Sequence, residues 1–146
     1  MTGYVLFRLG ERRFVTALDE VREIVRLTGV DPLPAAAPPL VGITVLRGSP
    51  LPVLDVRGPG APLHSGDILV MTVDGDAVGI AVDEVLAVLG AQELVEAEAP
   101  GKSLPDYVIG VRRDGSGPLL MVDLRLLLDA TSAGWHEALD AAGVTG

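Results

Sequence analysis

The sequence contains no cysteine, which excludes disulfides, thiolate nucleophiles and cysteine-ligated metals. Histidine occurs only as His64 and His136, too sparse a supply for a histidine-based metal centre. Basic residues are scarce as well: 11 Lys+Arg stand against 20 Asp+Glu, a formal charge of −9. A chain so acidic, with no basic run, is poorly suited to nucleic acid or to an anionic bilayer surface. The longest uncharged window, Pro32–Leu46, has 15 residues and four prolines, too short and too broken to insert in a membrane. The opening residues MTGYVLFRLGERRF show no charged segment ahead of an apolar one, so the expectation is a soluble, cytoplasmic protein without a signal peptide. Also absent is the regular alternation of strands with helices of about 10–15 residues that a parallel α/β sheet requires.

What is present is apolar and broken at short intervals. Of 146 residues, 49% are hydrophobic and the mean hydropathy is +0.44, which rules out intrinsic disorder and favours apolar surface kept for a partner. Glycine (18) and proline (11) together fill 29 positions, against a helical bundle.

The apolar runs mark the elements. Tyr4–Leu9 and Phe14–Leu18 flank the turn GERR as a hairpin, and Leu18–Val21 has the spacing of one helical turn. Glu23–Leu27 reads as a strand, Asp31–Pro39 as a stiff extended connector, and Leu40–Leu46 and Leu51–Val56 as strands, with Pro52 at a bulge or edge. Arg57–Gly66 reads as a flexible loop. Asp67–Val73 and Ala77–Val82 flank Asp74-Gly75-Asp76, the clearest hairpin signal. Val85–Leu89 is a further apolar run, and Gln92–Pro105 reads as an acidic surface loop. A last hairpin joins Tyr107–Arg112 to Pro118–Val122, before the helical spacing of Leu124–Leu128 and an amphipathic helix over residues 131–142. About nine or ten short strands at this spacing predict a mainly antiparallel β protein, with two small barrels in one unit.

No catalytic constellation emerges. His64 and Ser65 are neighbours with no G-x-S-x-G elbow, and read as a solvated loop. Asp83-Glu84 follows a buried-looking strand, and consecutive strand residues face opposite ways, so a solvated turn is expected. The stretches RGPGAP and DGSGP open no helix and lack the Lys-Ser/Thr of a phosphate loop. More specific are Val21-Arg22-Glu23-Ile24, with two opposite charges between apolar anchors, and Leu46-Arg47-Gly48, a lone arginine at a strand end. Arg47 offers fixed donors to a partner's carboxylates. The alternative is a local salt bridge to an acidic neighbour.

Taken in order, FRLGERRFVTALDEVREIVRL, PLVGITVLRGSPLPVLDVR, VGIAVDEVLAVL, DYVIGV and PLLMVDLRLLL resemble the CheW family of chemotaxis coupling proteins across residues 4–128. The family's run has a V-x-E-I segment, an N-L-R-G turn followed by P-V-x-D-L, a G-x-x-V-D-x-V segment and a terminal L-L-x-L-D. The resemblance implies one domain over residues 1–146, built of two intertwined five-stranded SH3-like β-barrels with short helices. It implies a non-enzymatic adaptor with no cofactor and no metal. Its partners would be the cytoplasmic tips of methyl-accepting chemoreceptors and the regulatory domain of a CheA-type histidine kinase. It would be recruited to receptor arrays at the inner face of the membrane.

On the same grounds Glu23 falls on the glutamate of V-x-E-I and Arg47 on the arginine of N-L-R-G, both at coupling surfaces, with Val30 and Gly42 near the receptor-facing groove. Asp55 and Asp83 match structural aspartates after strands, for which turn or helix capping is the plain account. Val82 is expected in the core of the Ala77–Val82 strand. The chain departs from the family at Val45, where N-L-R-G has asparagine, in the short Arg57–Gly66 loop, and in the proline- and alanine-rich connector. These departures motivate a second reading, a divergent module that keeps one interface and regulates a non-motility pathway. A third is a barrel that binds a small metabolite in its inter-barrel groove, with Arg47 as an anchor.

Overall fold

The computed structural model describes residues 3–131 except 35, 37, 59 and 97–103. Twelve strands make two sheets. In chain order they are β1 (Gly3–Leu9), β2 (Arg12–Ala17), β3 (Glu23–Arg26), β4 (Asp31–Pro32), β5 (Leu40–Leu46), β6 (Ser49–Asp55), β7 (Asp67–Val73), β8 (Asp76–Val82), β9 (Glu84–Gly90), β10 (Val95–Glu96), β11 (Val108–Asp114) and β12 (Gly117–Val122). The helix α1 (Leu124–Thr131) follows, and short 3-10 turns occupy Leu18–Glu20 and Ala91–Glu93. The helix expected over residues 131–142 lies outside the described residues beyond Thr131.

One sheet runs β10-β11-β12-β2-β1-β9 and the other β3-β7-β8-β6-β5-β4. Each holds five strands of four or more residues plus a two-residue strand, in keeping with the expected pair of SH3-like units. The chain starts in the first sheet, builds the whole of the second, and returns to complete the first. Most neighbours are antiparallel; the exceptions are β12 with β2 and β6 with β8.

Side-chain alternation accounts for three apolar clusters. From β1, Val5 and Phe7 enter the core shared by the two sheets, whereas Leu6 joins a separate cluster with Val15 and Leu119. From β7, Leu69, Met71 and Val73 enter the shared core, while Ile68 and Val70 pack with Leu51, Val53 and Ala81. Central strands therefore bury both faces, which is why they read as continuous apolar runs rather than alternating ones. Leu124 and Leu128 bring α1 onto the shared core. Val82 is fully buried there.

The hairpin turns follow their residues. Asp74 and Gly75 both have positive φ (50° and 89°), and Val73 stands opposite Asp76, the two-residue turn that a D-G pair favours. Pro50 and Pro52 are tolerated because β6 meets β8 only from Val53 onward, so the half containing the prolines has a ladder on one side alone. In β9 and β11, Leu86 and Ile109 are extra residues at register shifts, and both side chains are turned outward.

Three expectations need correction. The Gln92–Pro105 segment is not wholly a surface loop: Leu94 is buried among Leu6, Val15 and Leu119, and β10 pairs with β11. Its acidic flanks masked one apolar anchor. The Asp83-Glu84 pair is not simply a solvated turn. Glu84 opens β9 and pairs with Arg8, and Asp83 accepts the Gly10 N–H at 2.7 Å. The Arg57–Gly66 loop is not loose, because Arg57 folds back into it. Its guanidinium donates to both Asp55 oxygens (3.0 and 2.9 Å) and to the Pro62 and Ser65 carbonyls (2.8 and 2.6 Å).

Candidate functional site

The β5–β6 hairpin closes through Arg47 and Gly48, with φ of 51° and 80° and Leu46 opposite Ser49. A non-glycine residue in the left-handed region is uncommon, and such positions cluster at functional sites. The turn lifts the Arg47 side chain clear of the sheet, leaving it 71% exposed. From there it reaches Glu23, the first residue of β3 on the far side of the same sheet.

The contact is a two-pronged ion pair. Arg47 Nη1 donates to Glu23 Oε1 at 2.6 Å, and Nη2 donates to Oε2. The planar fork matches the carboxylate, a geometry lysine cannot reproduce. The Arg47 hydrogen bonds hold the Glu23 carboxyl below its usual range; desolvation opposes them, and the Arg47 and Arg22 charges add lesser lowering effects. Glu23 in turn raises Arg47 further. Glu23 is fixed from behind, because the neighbouring Arg22 N–H donates to the Val70 carbonyl at 2.7 Å and β3 runs antiparallel to β7.

Beside this pair, Val45 is 65% exposed on β5. It stands opposite Pro50, and β4 reaches β5 only at Gly42 and Ile43. Among the described residues, the end of β5 next to Arg47 thus has a free edge and an apolar side chain in solvent, where a polar asparagine would have been the better-hydrated choice. At the other end, Gly42 allows β4 to come close. A β-carbon there would collide with the Asp31 carbonyl oxygen and stand 2.7 Å from Val30 Cγ1.

Four of the residues singled out in the sequence therefore lie on the second sheet and its β3–β4 connection, Glu23 and Arg47 in direct contact and Val30 over Gly42. Asp55 and Val82 belong to the same sheet, at the ends of β6 and β8, and take no part in the Glu23–Arg47 contact; Asp83 follows β8. Asp55 ends β6 with its side chain only 6% exposed, paired with an Arg57 side chain 2% exposed, and it also accepts the Arg57 backbone N–H. Asp83 braces the β1–β2 turn through Gly10. His64 and Ser65 are exposed in the loop that Arg57 organises. Sequence reasoning missed Arg57 as the anchor of that loop; the signal was an aspartate two residues before an arginine at a strand end. It also missed Arg13 and Asp114, whose forked pair (3.0 and 3.4 Å) joins two hairpin tips, because 101 residues separate them.

No helix among the described residues is long and apolar enough to cross a membrane. A family model described as a CheW-like domain matches residues 3–132. The chain is 27% identical over 139 residues to the chemotaxis protein CheW of Treponema pallidum, covering 86% of this chain and 81% of that protein. It is 26% identical over 129 residues to the probable chemotaxis protein CheW of Rhizobium etli, covering 84% and 79%. Its fold resembles the crystal structure of the scaffolding protein TtCheW from Thermoanaerobacter tengcongensis, with a TM-score of 0.69 and 21% identity over 86% of this chain and 91% of that one.

Proposed function

The chain belongs to the CheW-like domain family, and from that premise we propose that it is a non-enzymatic adaptor in chemotaxis signalling. It couples the cytoplasmic tips of methyl-accepting chemoreceptors to the regulatory domain of a CheA-type histidine kinase. It acts in the cytoplasm, held at receptor arrays on the inner face of the membrane. The observation that carries this reading is the Glu23–Arg47 fork, raised on a strained two-residue turn beside the exposed Val45. An exposed pair adds little to folding, so its rigid geometry is better explained by what it presents to a partner. Val45 supplies apolar contact and the fork supplies orientation, the division of labour of a small interface core and its polar rim.

The mechanism is geometric. Binding fixes kinase and receptor in one arrangement, and a receptor change alters kinase output only by the difference in binding free energy between the two receptor states. Titration calorimetry against the kinase regulatory domain and a receptor signalling fragment tests this. Binding to both is expected, with Arg47→Ala weakening one of them while the melting temperature barely moves. Binding to one partner only would favour the single-interface module, for which Val45 is the motivating residue. Binding to neither would overturn the reading.

A further inference from the structure

The first sheet carries a second surface with a different character. Five arginines of an acidic chain, Arg8, Arg12, Arg13, Arg112 and Arg113, occupy its tip. Arg8 stands opposite Arg13 and Leu9 opposite Arg12 in the β1–β2 hairpin; Arg112 and Arg113 stand opposite Leu119 and Pro118 in the β11–β12 hairpin. The strand ladder between the two hairpins runs only through Leu120 with Phe14 and Met121 with Val15. Toward their turns they part, and a groove of about 610 Å³ opens between them, lined by Leu9, Glu11, Arg12, Arg13, Pro118 and Leu120.

The charges of this groove are unequally satisfied. Arg13 is held across the gap by Asp114, which also accepts the Ser116 N–H, so the tips are clamped at a fixed separation. Arg8 pairs with Glu84. Among the described residues, Arg12 is exposed and makes no ion pair, and the Arg112 guanidinium donates to the Val111 carbonyl at 3.4 Å. Among the described residues, Glu11 is the one carboxylate lining the groove, on the turn itself.

We infer that this groove binds a short acidic and apolar segment of a partner protein, with a carboxylate on Arg12 and apolar side chains on Leu9, Pro118 and Leu120. Field range decides the class of ligand. Beyond a Debye length of about 8–10 Å the chain's overall negative charge prevails and repels a polyanion such as nucleic acid or an anionic bilayer. Within contact distance, the free guanidinium of Arg12 favours a single carboxylate. The apolar walls leave a free phosphate unmatched. The surface is on the sheet that does not carry Glu23 and Arg47, so it is independent of the adaptor reading above.

Fluorescence anisotropy with a short labelled peptide alternating Glu and Leu tests the inference on the full chain. Saturable binding is expected, weakened about tenfold by Arg12→Glu, weakened by added salt, and unchanged by Arg47→Ala. Arg12 is solvent-exposed, so its variant keeps the fold, which circular dichroism checks. Three results would overturn it: no binding at millimolar peptide, equal binding by Arg12→Glu, or equal binding of a peptide alternating Lys and Leu. A self-association that Arg12→Glu abolishes, seen by sedimentation, would also overturn it, because the groove would then take a second copy of this chain.

Discussion

At the scale of single residues, the same pairing of arginine with carboxylate has opposite consequences set by burial. Glu23–Arg47 is open to solvent and adds little to folding. In Arg47→Ala the Glu23 carboxyl should titrate upward toward the ordinary carboxylate range, followed by carboxyl chemical shifts; a carboxyl that stays low would transfer the effect to Arg22. Because Glu23 and Asp114 are both lowered in the folded chain, Asp114 first by its hydrogen bonds from Arg13, their contribution is complete above the unfolded carboxylate range. It is lost as pH falls through the folded values. The proposed partner binding through Glu23 should weaken over that same acid window. Asp55–Arg57 is the opposite case. With both side chains nearly inaccessible, Arg57→Met leaves a buried carboxylate alone and should cost about 3–5 kcal/mol in urea denaturation. A loss below about 1 kcal/mol would mean that water reaches Asp55.

At the scale of elements, the turns and close approaches set what can be substituted. Arg47 holds a conformation suited to glycine or asparagine. Arg47→Asn should therefore match or slightly exceed the native melting temperature while losing the fork and the binding that depends on it. A large fall in melting temperature would make Arg47 a structural residue instead. Gly79 faces Ile68 and Leu51, with Ile68 Cγ2 2.7 Å from where a β-carbon would stand. Gly79→Val should cost about 1–3 kcal/mol by overpacking, read from the denaturation midpoint. The elements themselves were largely legible. The D-G hairpin, the paired apolar runs and the helical spacing of Leu124–Leu128 all carry local signals that no distant contact had to supply. The two-residue strands β4 and β10 were not, since a ladder that short exists only because a longer neighbour offers it an edge.

At the scale of the molecule, the shared core makes the two sheets depend on each other. Val5 and Phe7 from one and Leu69, Ile80 and Val82 from the other meet in it, so neither sheet can shed its partner without exposing apolar surface. Val82→Asp places an unpaired carboxylate in this layer and should abolish folding, at a cost comparable with the whole stability of about 5–15 kcal/mol. A soluble variant with native circular dichroism would show that the layer yields. By itself the sequence determined the strand content, the tight turns, the absence of cysteine chemistry and the ordered segments that match one family, because these depend on neighbours a few residues apart. Only the tertiary structure decided that Glu23 meets Arg47, that Arg13 clamps Asp114 and that Arg12 makes no ion pair among the described residues. Those outcomes depend on which strands become neighbours and in what register, and the chain settles that by burying both faces of its central strands at once.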